Sequence, residues 1–325
     1  MAAVMGATLY RHGATIAAIA SRRPESAEAL ARKLGSGIAY SSVATLLDSD
    51  SVDIVYIAAT NDTHCAIAEA ALRRGIAVLC EKPLGLDEQE VAHLVGLSTT
   101  LQVPLLEALW TAYLPSFVRL RQALAEQEIG RPVFARSDFG FVAEFDPASR
   151  LFDPARGGGC LNDLGPYPML LATIALGDPL DAFAIGRFGP TGVDHHVAAM
   201  IDFGESRVAQ FVCSFEMPTI QTAEIFSADG AWTLSAPFWR CDALGSFSPR
   251  ARAAPMESPY LGGSVPRLSD LDATYSPQVI EMTRCWKHGL IESPLLTHED
   301  SMRVARGLDH VRRRLHIARA SRIGD

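Results

Sequence analysis

The tripeptide Glu81-Lys82-Pro83 follows directly on a strand-like apolar run at 76–80. A lysine at the carboxyl end of a buried parallel strand stands where open α/β sheets bind their ligands. Pro83 ends the strand and sets the direction of the chain beyond it. A lysine held near a cofactor acts on a hydroxyl or carbonyl in one of two ways: as a proton shuttle, or as a cation that tunes a neighbouring acid. Taken alone, the tripeptide also reads as a surface turn. Its meaning depends on the elements around it.

Those elements alternate. Segment 2–12 has helical spacing and stops at Gly13, 14–20 reads as a buried strand, and 24–34 as a helix stopping at Gly35. A short helical piece at 43–47 precedes a buried strand at 52–58, and the helix at 63–74 ends at Gly75. The strand at 76–80, a helix at 87–99 and a strand at 103–107 complete the series. A glycine just past the last turn is a helix stop. Strands alternating with helices of this length predict a parallel, doubly wound sheet. After Trp110 the pattern changes to a helix at 114–126, a Phe-rich strand near 132–142, an irregular stretch through Gly157-Gly158-Gly159 and a helix at 161–176. Strand-like runs from 181 to 234 then imply a mostly antiparallel sheet. Segment 242–272 reads as a long loop or ragged sheet edge, and helices near 275–289 and 298–317 close the chain. The expected fold is α/β: a nucleotide-binding-type domain over 1–111, then an α+β domain over 112–325 with an open, mostly antiparallel sheet.

A Rossmann-type domain begins with a strand, a Gly-rich turn and a helix whose N-terminus holds the pyrophosphate. This sequence opens at that helix, and no GxGxxG occurs in its first half. In the usual order 3-2-1-4-5-6 the missing strand is the central one, so its loss exposes the hydrogen-bonding edges of both neighbours. The expectation is an N-terminally truncated or mis-started domain whose natural start lies upstream. The alternative is a protein that has given up its cofactor.

The 325 residues suffice for two domains with their own cores, and 48% hydrophobic with 20% charged residues is ordinary for a globular protein. A net charge of −8 argues against a general nucleic-acid binder, which needs an excess of Lys and Arg. The six cysteines form no CxxC pair and no Cys/His cluster at zinc spacing, a pattern that suits reduced thiols in the cytosol. No apolar run has the length of a membrane span, and no signal-peptide pattern opens the sequence. These features predict a soluble cytoplasmic enzyme or binding protein.

Five ordered motifs give the chain a resemblance. They are Ala20-Ser21-Arg22; Tyr56-Ile57-Ala58-Ala59-Thr60-Asn61-Asp62-Thr63-His64; Cys80-Glu81-Lys82-Pro83-Leu84; Glu107-Ala108-Leu109-Trp110-Thr111; and Gly157-Gly158-Gly159-Cys160-Leu161-Asn162-Asp163-Leu164-Gly165-Pro166-Tyr167-Pro168. Together they resemble the Gfo/Idh/MocA family of NAD(P)-dependent oxidoreductases, and within it the dihydrodiol dehydrogenase and D-xylose dehydrogenase group. The resemblance runs from residue 2 to about 317.

It implies that Lys82 lies by the nicotinamide and that Asp163 and Tyr167 face it from the second domain, which would bind substrate and dimerise. Residues four apart on one helix share a face, which suits that pairing. A tyrosine with a pKa of about 10 is a poor base at neutral pH, but a nearby ammonium favours its phenolate. Tyr167 would then take the proton of a substrate hydroxyl as hydride leaves for the cofactor, and return it in reduction. The sequence leaves both Tyr167 and Lys82 open as the immediate proton carrier.

Ser21-Arg22-Arg23 contains no acid where NAD-selective folds place one, and an arginine there accommodates the 2′-phosphate of NADP. The resemblance places Thr60, Asn61, His64, Glu81, Lys82 and Pro83 along the cofactor with Ser21 and Arg22; Thr60 stands where the family usually has proline. Trp110 and Arg150 are expected at the substrate, with Phe145 and Arg156 weaker candidates. His195-His196 lacks carboxylate or Cys partners in sequence, so no metal is expected. Arg303, Arg306, Arg312, Arg313 and Arg314 on the last helix read as a solvated or domain-docking face. The expected activity is NADP-dependent interconversion (NAD remaining open) of a secondary alcohol or sugar hemiacetal with its carbonyl or lactone. The implied substrates are trans-dihydrodiols and aldoses, and the implied assembly is a homodimer. The alternative is a non-catalytic descendant that binds a sugar-like ligand or a partner.

Overall fold

The structure is a computed structural model that describes residues 2–35, 37–241, 244–247 and 271–323. The first half runs α1 (Ala2–Arg11), β1 (Ala18–Ala20), α2 (Pro24–Leu34), β2 (Ile38–Tyr40), α3 (Val43–Leu47), β3 (Ile54–Ile57), α4 (His64–Leu72), β4 (Ala77–Glu81), α5 (Glu88–Leu101) and β5 (Leu105–Ala108). It continues with α6 (Pro115–Ala125), β6 (Pro132–Gly140), α7 (Cys160–Leu164), α8 (Pro166–Leu176), β7 (Asp181–Phe188), β8 (Asp194–Asp202), β9 (Val208–Ser214), β10 (Ala223–Ser227), β11 (Ala231–Leu234) and β12 (Leu244–Phe247). Helices α9 (Leu271–His288) and α10 (His298–Ile323) follow.

Local signals place several of these elements. Pro24 opens α2, where its missing N–H costs nothing. Gly35 closes it in the left-handed conformation at φ 65°, and its N–H returns to the carbonyls of Ala31 and Arg32. Ser42 caps α3 by accepting the Thr45 N–H at 3.1 Å.

The chain forms two compact units, neither continuous in sequence. The first contains the elements from α1 to β5 and also α9; the second contains those from α6 to β12 and nearly all of α10. A division at 111/112 therefore leaves out the return of α9. That helix covers α1: Gln278 Nε2 lies 3.3 Å from Met5 Sδ, and Met5 is fully buried.

In the first unit every strand pair is parallel, as expected. The strands form two separate sheets, β1-β2 and β3-β4-β5. The break falls between β1 and β3. Burial follows the break. All of β4 and β5 is buried, whereas β1 and most of β3 are only half-buried. The expected strand at 14–20 accordingly shortens to β1, since an edge lacking a neighbour has fewer ladder bonds to extend it. Strand β2 was not anticipated; three residues are too few to show a period of two.

The second unit carries a seven-stranded sheet in the order β12-β11-β10-β6-β9-β8-β7. Its pairs are antiparallel except β6 with β9, which run parallel from Phe134↔Val208 to Gly140↔Ser214. Alternation sorts the two faces. Ala184, Val197, Ala199, Ile201, Phe211 and Ala135 are buried, and the apolar helix α8 packs on β6. Phe183, Ile185 and Met200 on the other face are exposed. Of the loop or ragged sheet edge expected at 242–272, residues 244–247 form β12, the edge strand of this sheet, while 242–243 and 248–270 lie outside the described residues. No helix among the described residues is long and apolar enough to cross a membrane.

Candidate active site

In the first unit the expected cofactor residues gather at the carboxyl ends of parallel strands. Ser21 and Arg22 follow β1, Thr60 and Asn61 follow β3, and Lys82 and Pro83 follow β4. Arg22 Nη2 donates to Thr60 Oγ1 at 3.4 Å, a long bond that still ties the ends of two different sheets together. Ser21 Oγ accepts the Arg23 N–H at 3.1 Å and shapes the turn that presents Arg22. Asn61 opens a single 3₁₀ turn before α4 and is largely buried. Lys82 is half-buried.

Two expected cofactor residues lie beneath this surface. His64 is buried, with Nδ1 2.8 Å from the Pro83 carbonyl and Nε2 3.2 Å from that of Ala59. A neutral imidazole has one N–H for these two acceptors. The carbonyls favour a second proton, but desolvation is the larger effect and lowers the pKa. His64 thus ties the loop after β3 to the loop after β4. Glu81 is likewise buried and accepts a hydrogen bond from the Tyr56 hydroxyl. Burial raises the Glu81 pKa against the opposing pull of Tyr56 and Lys82, and burial with the adjacent carboxylate raises that of Tyr56. Trp110, expected at the substrate, is buried edge-on against Tyr275, with ring centroids 5.4 Å apart.

In the second unit Asp163 and Tyr167 fall on two successive helices, α7 and α8, rather than one. Pro166 has no N–H to continue the ladder, so the helix breaks at Gly165. Asp194 of β8 anchors α7: its Oδ2 accepts the Leu161 N–H at 2.6 Å and lies 3.2 Å from Cys160 Sγ. Gly159 enters that helix at φ 116°, and a Cβ there would meet Asp194 Oδ1 at 2.5 Å. The glycine run is therefore demanded by backbone conformation and by close approach. Arg150 Nη1 donates to Asp163 Oδ1 at 3.0 Å. Arg156 pairs instead with Asp153, and Phe145 packs on Phe152.

Tyr167 is buried among aromatics. Phe139 of β6 meets it edge-on at 5.5 Å, Trp239 stands at 6.2 Å, and Phe139 and Trp239 stack at 4.8 Å. Trp239 Nε1 donates to Gln221 Oε1 at 3.3 Å, which sets its ring plane. Each aromatic pair contributes about 0.5–1.5 kcal/mol beyond area burial, enough to hold the Tyr167 ring in one orientation. Sequence reasoning missed Tyr56, Phe139 and Trp239. Tyr56 reads as one more apolar strand residue, and Trp239 lies in a stretch with no periodicity.

Residues 2–108 match the family described as the oxidoreductase family with an NAD-binding Rossmann fold, and residues 117–233 match the GFO/IDH/MocA C-terminal domain. The chain is similar to human trans-1,2-dihydrobenzene-1,2-diol dehydrogenase, 29% identical over 95% of this chain and 91% of that protein. It is also similar to D-xylose 1-dehydrogenase (NADP(+)) 2 of Haloferax volcanii, 31% identical over 91% of this chain and 88% of that one. Among solved structures, an oxidoreductase domain protein from Kribbella flavida superposes with a TM-score of 0.83 at 20% identity, covering 98% of this chain and 95% of the other. A 3-ketoreductase from Actinomadura kijaniata, in complex with NADP and TDP-benzene, gives a TM-score of 0.74 at 23% identity over 93% and 90%. At these identities the structural likeness speaks for the fold alone.

Proposed function

Because the chain belongs to the Gfo/Idh/MocA family of oxidoreductases, we propose that it is an NADP-dependent dehydrogenase interconverting a secondary alcohol or sugar hemiacetal with its carbonyl or lactone. Trans-dihydrodiols and aldoses such as D-xylose are the first substrates to test, being those named for its relatives. The observation that supports this reading most is the placing of Lys82 after β4, beside the loops that carry Arg22, Thr60 and Asn61.

The residues suit a nicotinamide dinucleotide. Arg22 is an exposed guanidinium held by Thr60, and no acid stands at 20–23 to favour NAD. When bound, the nicotinamide accepts or supplies the hydride. Tyr167 and Lys82 are the two candidates for moving the proton of the substrate hydroxyl, and in the second unit Asp163 with Arg150 orients the substrate oxygens. Six free cysteines fit a reducing cytoplasm. The exposed apolar face bearing Phe183, Ile185 and Met200 fits a homodimer.

One observation favours a second reading, a non-catalytic binder of a sugar-like ligand: the parallel strands of the first unit are split into two sheets. Nicotinamide fluorescence titration with NADPH and NADH, followed by turnover assays on a trans-dihydrodiol and D-xylose, separates the two. The dehydrogenase reading expects saturable NADPH binding and turnover, with Lys82→Ala and Tyr167→Phe each losing about 10²-fold or more in kcat while retaining NADPH. Sugar binding with no turnover by the parent protein would establish the binder instead.

A further inference from the structure

The loop carrying Lys82 is held by side chains that reach it from three other elements. Leu84 N–H donates to Glu107 Oε1 of β5 at 3.1 Å. The Pro83 carbonyl faces His64 Nδ1 of α4 at 2.8 Å. The carboxylate of Glu81, the residue before Lys82, accepts the hydroxyl of Tyr56 on β3. The β5 end of this frame is itself secured, because Tyr113 Oη donates to the Glu107 carbonyl at 2.9 Å.

Glu81 and Glu107 are both nearly inaccessible, at 7% and 5% exposure. Burying a carboxylate costs several kcal/mol unless hydrogen bonds offset it. An apolar residue at either position would fill the same space without that cost. What the carboxylates add is directional bonding on either side of Pro83: Glu81 to the Tyr56 hydroxyl, and Glu107 to the Leu84 N–H.

We propose that Glu81 and Glu107, with Tyr56 behind Glu81, are positioning residues that lock the backbone from which Lys82 projects. This rests on the reading that Lys82 acts at the reacting centre. Neither carboxylate touches the reacting atoms; each acts through the Lys82 loop. A misplacement of about 1 Å in a group near the chemistry costs about 10²-fold in rate, so loosening this frame acts on kcat more than on binding. The charged and titratable groups beside Glu81 include Lys82 and Cys80, its neighbours in sequence, and Tyr56 on β3, with Tyr275 of α9 beside Tyr56 and Glu107 of β5 beside Cys80.

Two readouts test the proposal on the full chain. The first is hydrogen–deuterium exchange of peptides spanning 79–86 without cofactor, in the parent, Tyr56→Phe, Glu107→Leu and Glu107→Gln. Exchange at the Lys82 and Leu84 amides is expected to speed up at least tenfold in Tyr56→Phe and Glu107→Leu respectively. Glu107→Gln, which keeps an acceptor oxygen, is expected to restore protection. The second is steady-state kinetics, where the same two variants are expected to lose at least tenfold in kcat with KM for NADPH within twofold. Tyr56→Phe added to Lys82→Ala is expected to do nothing further. If amide exchange stays at the parental rate in both variants, the proposal is wrong whatever the activity. If Lys82→Ala retains full turnover, the assignment of Lys82 fails, and exchange alone then judges the frame. If Glu107→Leu does not fold, Tyr56→Phe decides, because it removes one hydroxyl and leaves the ring in place.

Discussion

Arg150 and Asp163 meet across the glycine run, with Nη1 3.0 Å from Oδ1. The Arg150 side chain is 52% exposed and that of Asp163 only 13%. A pair of this exposure is worth at most about 1 kcal/mol of stability. Its consequence is therefore orientation: the arginine is held, and much of its guanidinium remains open to a ligand.

Arg150→Ala is accordingly expected to leave the thermal midpoint within about 2 °C of the parent. It is expected to raise the KM for the alcohol or sugar about tenfold, corresponding to one lost charge-assisted bond. Thermal unfolding and steady-state kinetics on the same preparation check both. A large drop in midpoint with unchanged KM would make the pair structural.

Arg22→Ala is expected to weaken NADPH about tenfold or more, since a hydrogen bond to a charged group contributes about 1.5–3 kcal/mol. NADH affinity is expected to stay within about twofold, because it has no 2′-phosphate to lose a contact. Fluorescence titration with both nucleotides measures the ratio. Equal weakening of both would place Arg22 away from the 2′ position.

The buried His64 predicts an acid limb in stability. Its folded pKa lies below the ordinary value of about 6.5, with burial as the main cause. Below about pH 6.5 the unfolded chain takes up a proton that the folded chain refuses. The contribution is thus fully present above about 6.5 and is lost as pH falls toward the folded pKa. Urea midpoints of parent and His64→Asn at pH 7.5, 6.5 and 5.5 test the sign. The parent is expected to lose more stability than the variant between the first and last; parallel profiles would contradict it.

The outer face of the seven-stranded sheet is the surface proposed for the dimer. Phe183 and Met200 are paired across β7 and β8, at 67% and 48% exposure. Phe183→Lys with Met200→Glu is expected to convert a dimer of 35.0 kDa chains to monomer without unfolding it. Sedimentation velocity reads the mass, and circular dichroism checks the fold. A parent that already sediments as a monomer would refute this use of the face.

Much of the fold was legible where the signal is local. Helix α2 has the bounds expected for it because Pro24 and Gly35 each impose a backbone angle at its ends. The parallel character of β3, β4 and β5 follows from helices long enough to cross over. Other features left weaker traces. The break between α7 and α8 was marked by Pro166, yet the apolar period runs straight across it. The pairing of β6 with β9 in parallel, inside an otherwise antiparallel sheet, depends on which distant strand fills the neighbouring position.

The sequence by itself singled out the residues proposed for the chemistry: Lys82 at a strand end, Arg22 without a competing acid, and Asp163 and Tyr167 after a run of glycines. Residue type, turn chemistry and the order of apolar runs are enough for that, because each acts over a few positions. Only the tertiary structure decided that His64 and Glu81 are buried, with His64 set between the carbonyls of Ala59 and Pro83 and Glu81 against the Tyr56 hydroxyl. It alone set Phe139 and Trp239 around Tyr167 and brought α9 back over α1. Those outcomes depend on burial and hydrogen bonding between segments far apart in the chain, where the competition for a place is settled by total packing and not by any local pattern.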